Sequence, residues 1–416
     1  MFAKTHSPLI ILGLLCTAYA LSFFHRVCPS VLAPDLMETF SLDAASFSLI
    51  GSSTMLGYAI TQIPSGLLAD IIGGRRTLAM FQVFTGLICI VFTFCESLMP
   101  AVLCRFLIGL TLAANVPAYK IFATSVPAEK YAQYCSILTG FGTVGTLLAA
   151  TPLVLAADLM GWQAALFMAG VFTVIVGSTI FLMLDDGPAR NNAASDTRAR
   201  IASLKAGLRE VVRMKNFWLL VIWFMFMVGN LFTLVATWWG SFLMQAGELS
   251  KEDAGLSISI MSLGPLPFLM VFPWLSDKVL HSRRIVIMMS ALLESIALGY
   301  ICLSGGKVLS FMELTMLGLC IGIATNCMGP LVFTMVKESV PASTLASASG
   351  FLNCTGPVMA ALIQSVFGAI LAWRLGAGAT PQEAYSSAFI LLFVGSSIAF
   401  VSTLFMKDTW KAPQDS

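Results

Sequence analysis

Apolar positions along the chain gather into long runs separated by short polar breaks. A helix that crosses the hydrocarbon core of a bilayer needs about 20 apolar residues. Runs of that length fall at 8–32, 46–69, 77–96, 98–122, 132–157, 163–184, 217–243, 254–276, 285–304, 310–335, 344–371 and 385–406. The pattern predicts twelve membrane-spanning helices, numbered here spans 1 to 12, with spans 3 and 4 parted only by Glu96 and Ser97. The longest polar stretch, 185–216, divides the chain into a six-span half at 1–184, a linker, and a second half at 217–416. Within the linker Ile201, Leu204, Leu208, Val211 and Val212 are spaced for a helix lying on a membrane surface, and its main expected role is to join the halves. The first run is long, lacks a small-residue cleavage site and is followed by further spans. It is therefore expected to stay in the protein as span 1.

Composition strengthens this picture. Of 416 residues, 58% are hydrophobic and 11% charged, whereas a water-soluble domain carries about 25% charged residues. So few charges cannot cover a water-facing surface, and lipid must be the solvent for much of the exterior. A net charge of +2 and no basic patch interleaved with aromatic residues argue against a nucleic-acid partner. The ten cysteines lie in or beside apolar runs without a CxxC pair, and His6, His25 and His281 are scattered. The cysteines are read as packing residues, with no metal and no cofactor expected. No GxxxxGK[ST] loop occurs, which argues against ATP-driven pumping, and no soluble segment carries paired catalytic groups, so no enzyme activity is expected. All but five of the 23 Lys and Arg residues (the exceptions are Arg26, Arg105, Lys251, Lys307 and Arg374) fall on the side of the membrane that carries the N-terminus. That bias predicts cytoplasmic termini.

The halves repeat. Residues 66–76 after span 2 read GLLADIIGGRR, and 273–284 after span 8 read PWLSDKVLHSRR. Each has a small or apolar entry, an Asp and an Arg pair, as parallel repeats of a two-bundle transporter would. The run from Gly66 through Asp70 to Arg75 and Arg76 resembles the loop 2–3 signature of the major facilitator superfamily. Arg105-Phe106-Leu107-Ile108-Gly109 resembles its span 4 motif, and Gly140, Gly142, Gly145 and Pro152 its Gly/Pro-rich span 5. The resemblance extends over essentially the whole chain. It implies an all-α membrane protein, twelve helices in two six-helix bundles, acting as a monomer. In it the clusters Gly66, Asp70, Arg75, Arg76 and Asp277, Arg283, Arg284 would gate the conformational change. Span 1, from Tyr19 through Arg26 to Leu36, is similar to that of the anion-transporting branches: organophosphate antiporters, sugar-acid and organic-anion symporters, and bacterial phagosomal nutrient transporters. In the organophosphate group a span 1 Arg and a span 7 Arg grip the phosphate together. Here 224–243 in span 7 contains no Lys or Arg, which counts against a doubly charged phosphate.

An ionisable residue inside the bilayer is costly and by default signals function. Arg26 can hold a carboxylate in a two-pronged grip, or it can snorkel or pair with Asp35 near the membrane face. His25 points about 100° away from it around the helix and reads as a proton relay or a satisfied interfacial His. Asp35 and Glu38, near the end of span 1, are candidate proton sites or solvated carboxylates. The family resemblance gives Arg105 a part in proton coupling. Glu294, in the middle of span 9, is either a coupling carboxyl or a paired structural one. Lys120 is a cavity cation or a positive-inside anchor. Tyr19, Tyr58, Gln62, Asn115, Tyr119, Asn230, Trp238, Asn326, Asn353 and Gln364 fall on spans 1, 2, 4, 7, 10 and 11, which line the central cavity in the family's fold. Helix–helix hydrogen bonding explains such residues equally well. Pro64, Pro117, Pro265, Pro267, Pro273, Pro330 and Pro357 lie in or near spans and let them bend.

The leading expectation is proton-coupled import of a small organic anion, a carboxylate or sugar acid, through a bacterial inner membrane. An amino acid, a nucleoside or a siderophore would also use Arg26. Drug efflux usually wants an acidic residue in an apolar cavity. A transport-dead sensor is the remaining alternative.

Overall fold

The computed structural model describes residues 7–126, 128–185, 211–341 and 344–410; the side chains of Ile63, Asp70, Asn115, Ala128, Glu129, Ala132, Ala346 and Ser347 lie outside that description. All regular structure among the described residues is helical. Eleven helical segments among the described residues are long and apolar enough to cross a membrane. Ala44–Ile72, 29 residues long, supplies span 2 and completes the twelve expected. Ile201, Leu204 and Leu208 of the expected linker helix lie outside the described residues. Val211 is buried and Val212 exposed.

Several spans that read as continuous are interrupted. Span 4 is Leu98–Thr111 followed by Asn115–Ser125, and span 5 is Ala128–Leu148 followed by Thr151–Met160. Span 10 is Phe311–Asn326 followed by Gly329–Ser339. Span 8 comprises Lys251–Leu263, Phe268–Trp274 and a π-helical turn, Leu275–Val279. In span 7 a π-helical turn, Leu234–Trp238, joins Lys215–Thr233 to Trp239–Gln245. Pro117, Pro152, Pro265 and Pro330 stand at or just beyond four of these breaks, where a residue without an N–H leaves the i−4 carbonyl unpaired. Hydropathy cannot register such breaks, because they do not change how apolar the run is.

The chain forms two compact units, Met1–Leu42 with Leu49–Ile201 and Asp43–Ser48 with Ala202–Ser416. In the first, small residues let helix backbones touch. A Cβ at Gly145 of span 5 would fall on the Ala20 carbonyl of span 1, and one at Gly109 of span 4 would fall on the Thr54 carbonyl of span 2. Without a hydrophobic drive between helices in lipid, such close approach supplies the packing energy. Leu15, Leu78, Ile121, Phe122, Leu138 and Ile180 form its core. In the second unit Phe217, Trp223, Met227, Ile287, Val332 and Leu352 do so.

The repeat read in the sequence has a structural counterpart. Arg75, at the start of span 3, donates from Nη1 to the carbonyls of Phe181 (2.7 Å) and Leu184 (3.2 Å) at the end of span 6. Arg284, at the start of span 9, donates from Nε to Thr403 O (2.8 Å) and from Nη2 to Leu404 O (2.8 Å) at the end of span 12. In each half the third span thus caps the sixth, with a cation on the negative end of the helix dipole.

Candidate functional site

Within the first unit the polar chemistry centres on Arg26, which is 4% exposed. Its guanidinium carbon lies 4.5 Å from the ring centroid of Phe23 and 4.2 Å from that of Tyr58. Phe23 is three residues earlier on span 1 and so shares its face; Tyr58 comes from span 2. Tyr19, one turn before Phe23, meets it edge-on at 5.1 Å. Both rings rest on Gly142 of span 5, where a Cβ would come 3.0 Å from Phe23 and 3.1 Å from Tyr19. Tyr119 of span 4 hydrogen-bonds Thr139 of span 5 at 3.3 Å, and Tyr19 is within electrostatic range of Tyr119, Tyr58 and Arg26. Gln62 is buried one turn beyond Tyr58. A cation lying over two aromatic rings gains cation–π attraction.

Arg105 has a different role from the neighbouring cation. It is 1% exposed and donates from Nη2 to His25 O at 2.8 Å and from Nε to Thr54 Oγ1 at 3.1 Å. Pro29, inside span 1, lacks the N–H that would pair with the carbonyl four residues earlier, which is His25. Arg105 therefore supplies the bond that Pro29 removes. His25 turns away from Arg26, as the helical angle requires, and its Nε2 pairs with Thr173 of span 6 at 2.9 Å. Thr173 donates to Ala169 O at 2.7 Å, so the imidazole is the donor toward it. Asp35 is half-buried in the short helix Ala33–Thr39 after span 1, and Glu38 is exposed there. Lys120 donates to Ala69 O at 2.7 Å, tying span 4 to the end of span 2. The side chains of Asn115 and Asp70 lie outside the description, and a Cβ at Gly66 would touch Val116 at 3.4 Å.

In the second unit Glu294 is fully buried. Asn230 Nδ2 donates to its Oε1 at 3.0 Å and Thr325 Oγ1 to its Oε2 at 2.6 Å. The same Asn230 amide donates to Leu392 O at 3.0 Å, so spans 7, 9, 10 and 12 meet at one carboxyl. Trp238 is packed against Phe367 (5.1 Å) and Tyr385 (6.4 Å) and donates to Gln364 O at 3.3 Å. Asn326 is exposed at the break in span 10, and Asn353 is half-buried on span 11. Near the Arg pair of this half, Arg283 bridges Asp277 at 2.7 Å and Glu338 at 2.9 Å. Residues 407–410 lie over the same place as a strap. Lys407 N donates to Asn216 Oδ1 (2.8 Å), Thr409 Oγ1 to Glu338 (2.7 Å) and Arg283 N to Asp408 Oδ1 (3.1 Å). Ser282 also bonds Asp408, and the Trp410 ring lies against His281 at 4.8 Å, tilted by 51°.

Two groups therefore form around candidates named from sequence: Tyr19, Arg26, Tyr58 and Tyr119 in the first unit, and Asn230 with Glu294 in the second. Phe23, Thr325, Glu338 and Asp408 were not anticipated. Phe23 had a signal, its i−3 spacing from Arg26; the other three are brought in by distant helices and had none.

The model for the Major Facilitator Superfamily matches residues 15–248 and 231–415. The putative niacin/nicotinamide transporter NiaP of Bacillus subtilis (strain 168) is 25% identical over 88% of this chain and 88% of its own. The gallate transporter of Pseudomonas putida is 24% identical over 71% of this chain and 70% of its own. Among solved structures, a bacterial homolog of the human lysosomal transporter Spinster superposes with a TM-score of 0.78 at 16% identity, covering 99% of this chain and 100% of that one.

Proposed function

The chain belongs to the major facilitator superfamily of small-solute transporters, and on that premise we propose that it imports a small organic anion, a carboxylate or sugar acid, together with protons. The carrying observation is Arg26, buried and clamped between Phe23 and Tyr58. A cation whose faces are already occupied loses little freedom when it meets a carboxylate, and pre-organisation of that kind favours binding. Tyr19, Gln62 and Tyr119 surround the anchor with hydroxyl and amide groups that suit an oxygenated substrate. The absence of a second cation from 224–243 fits one negative charge better than two. The relative that carries gallate handles a carboxylate of that charge class. Loading on one side and release on the other would follow rocker-switch alternation of the two six-span halves. The protein would sit in a bacterial inner membrane with both termini inside, as a monomer.

The test is uptake into proteoliposomes from a panel of radiolabelled carboxylates, sugar acids, amino acids and nucleosides. A carboxylate should be the preferred substrate, and Arg26→Ala should lower its uptake by at least about tenfold, the factor that about 1.4 kcal/mol represents. Arg26→Lys should recover only part, because an ammonium cannot make the planar two-pronged grip. Carboxylate uptake unchanged by Arg26→Ala would remove the anchor. Uptake that ignores both a pH gradient and a protonophore would remove proton coupling.

A further inference from the structure

We infer that Glu294, with Thr325 and Asn230, is a proton-binding site in the second unit and carries the coupling proton; the coupling role rests on the reading above, the binding site does not. A carboxylate fully removed from water needs a cation or a proton. The groups that meet Glu294 from the packed elements are Asn230 of span 7, Thr325 of span 10 and, through Asn230, the Leu392 carbonyl of span 12. All are neutral. The ionisable side chains of those spans are Lys215, Glu313, Cys320, Cys327, Lys337, Glu338, Glu383 and Tyr385, and the carboxyl's hydrogen-bond partners, Asn230 and Thr325, are not among them.

The contacts select the ion. Asn230 and Thr325 each touch Glu294 directly, at 3.0 and 2.6 Å. A metal cage holds its oxygens apart around an ion at about 2.0–2.6 Å from each, and no such gap separates these groups. A proton needs none. In the ionised form the Thr325 hydroxyl donates to Oε2. When Oε2 takes a proton, that bond reverses and the carboxyl O–H donates to Thr325 Oγ1. The Asn230 amide donates to Oε1 in either state. Asn230 Oδ1, buried beside the carboxyl without a partner, marks the place as polar beyond what these bonds use.

Thr325 lies in the last turn of Phe311–Asn326, where span 10 breaks, and Asn326 beside it is exposed. Pro330 removes the N–H that would pair with the Asn326 carbonyl. Ends of discontinuous spanning helices are where transporters hold coupling ions.

Infrared difference spectroscopy of the purified full chain in lipid nanodiscs, stepped between pH 5 and pH 9, reads the proton directly and needs no substrate. Wild type should show a protonated-carboxyl C=O band that titrates. Glu294→Gln should lose that band, and Thr325→Val should shift its frequency. Thermal unfolding within a few degrees of wild type would show that each variant folds. A titrating buried-carboxyl band that survives Glu294→Gln, or no titrating band in wild type, overturns the site. The coupling role is separate: Glu294→Gln should reduce pH-gradient-driven accumulation of the panel's preferred substrate at least tenfold and leave exchange within about twofold. If the band behaves as stated but accumulation in wild type ignores the pH gradient, the transport reading fails and the proton site stands. If accumulation is proton-driven equally in wild type and Glu294→Gln, the carrier assignment fails and the transport reading stands.

Discussion

Arg26 and Arg105 lie within one bundle and do opposite things with the same guanidinium. Arg26 lies over two aromatic rings, whereas Arg105 donates to the span 1 carbonyl that Pro29 leaves without an N–H. The Cys28 thiol also reaches this carbonyl, at 3.5 Å, but a thiol is a weak donor, so Arg105→Met should lower the thermal midpoint of the detergent-solubilised protein. Pro29→Ala returns an N–H to the same carbonyl. Arg105→Met should therefore cost less in a Pro29→Ala background than in wild type, a coupling that a double-mutant cycle measures. Independent, additive losses would show that Pro29 and Arg105 are not linked. Sequence alone exposed Arg26, Arg105 and Glu294 as intramembrane charges but could not show that Arg105 reaches the carbonyl opposite Pro29. That depends on a proline 76 positions away from its partner in the chain, a relation visible only once spans 1 and 4 are adjacent.

Among elements, the loop after span 8 and the strap at 407–410 form the most connected polar region of the second unit. Asp408 stands there. Burial pushes its carboxyl up, but donation from the Ser282 side chain and from the backbone of Trp410, Arg283 and Arg284 outweighs that and holds it below the ordinary carboxylate range. Its native pKa is therefore lower than its unfolded value of about 3.9. The stabilisation is present in full above that value and is lost as pH falls through the native pKa. Asp408 is largely exposed, so solvent screening keeps the effect small. Asp408→Asn should accelerate amide exchange at residues 281–285 and 408–410 at pH 7, and the difference from wild type should close as pH falls toward 3. A difference that stayed constant with pH would mean the charge is irrelevant. Span positions were legible in the sequence because hydropathy and length decide them. The breaks in spans 4, 5, 7, 8 and 10 were not, since apolar runs look alike whether their hydrogen-bond ladder is continuous or shifted to a π turn. Nor was the strap, whose residues are ordinary polar ones that gain meaning from helix ends far away.

For the whole molecule, the asymmetric placement of Lys and Arg makes a directional statement. A fluorescent reporter that folds only in the cytoplasm should be active when fused to either terminus, and alkaline phosphatase fused in the short break between spans 3 and 4 should be active outside. The reverse pattern would invert every expectation about which membrane face loads the substrate. The two halves also share a rule of construction, with the third span's arginine closing the sixth span's end: Arg75 on Phe181 and Leu184, Arg284 on Thr403 and Leu404. The sequence hinted at this only as a recurring Asp followed by an Arg pair.

The strap also has a bearing on biogenesis. Asn216, at the start of span 7, finds the backbone of Lys407 191 positions later. A chain made from its N-terminus must therefore insert span 7 and hold it through five further insertions before that bond can form. Local helices form in microseconds, whereas synthesis adds about 5–20 residues per second, so span 7 waits on the order of ten seconds or more with Asn216 Oδ1 unmatched. During that interval its placement rests on neighbours that arrive sooner.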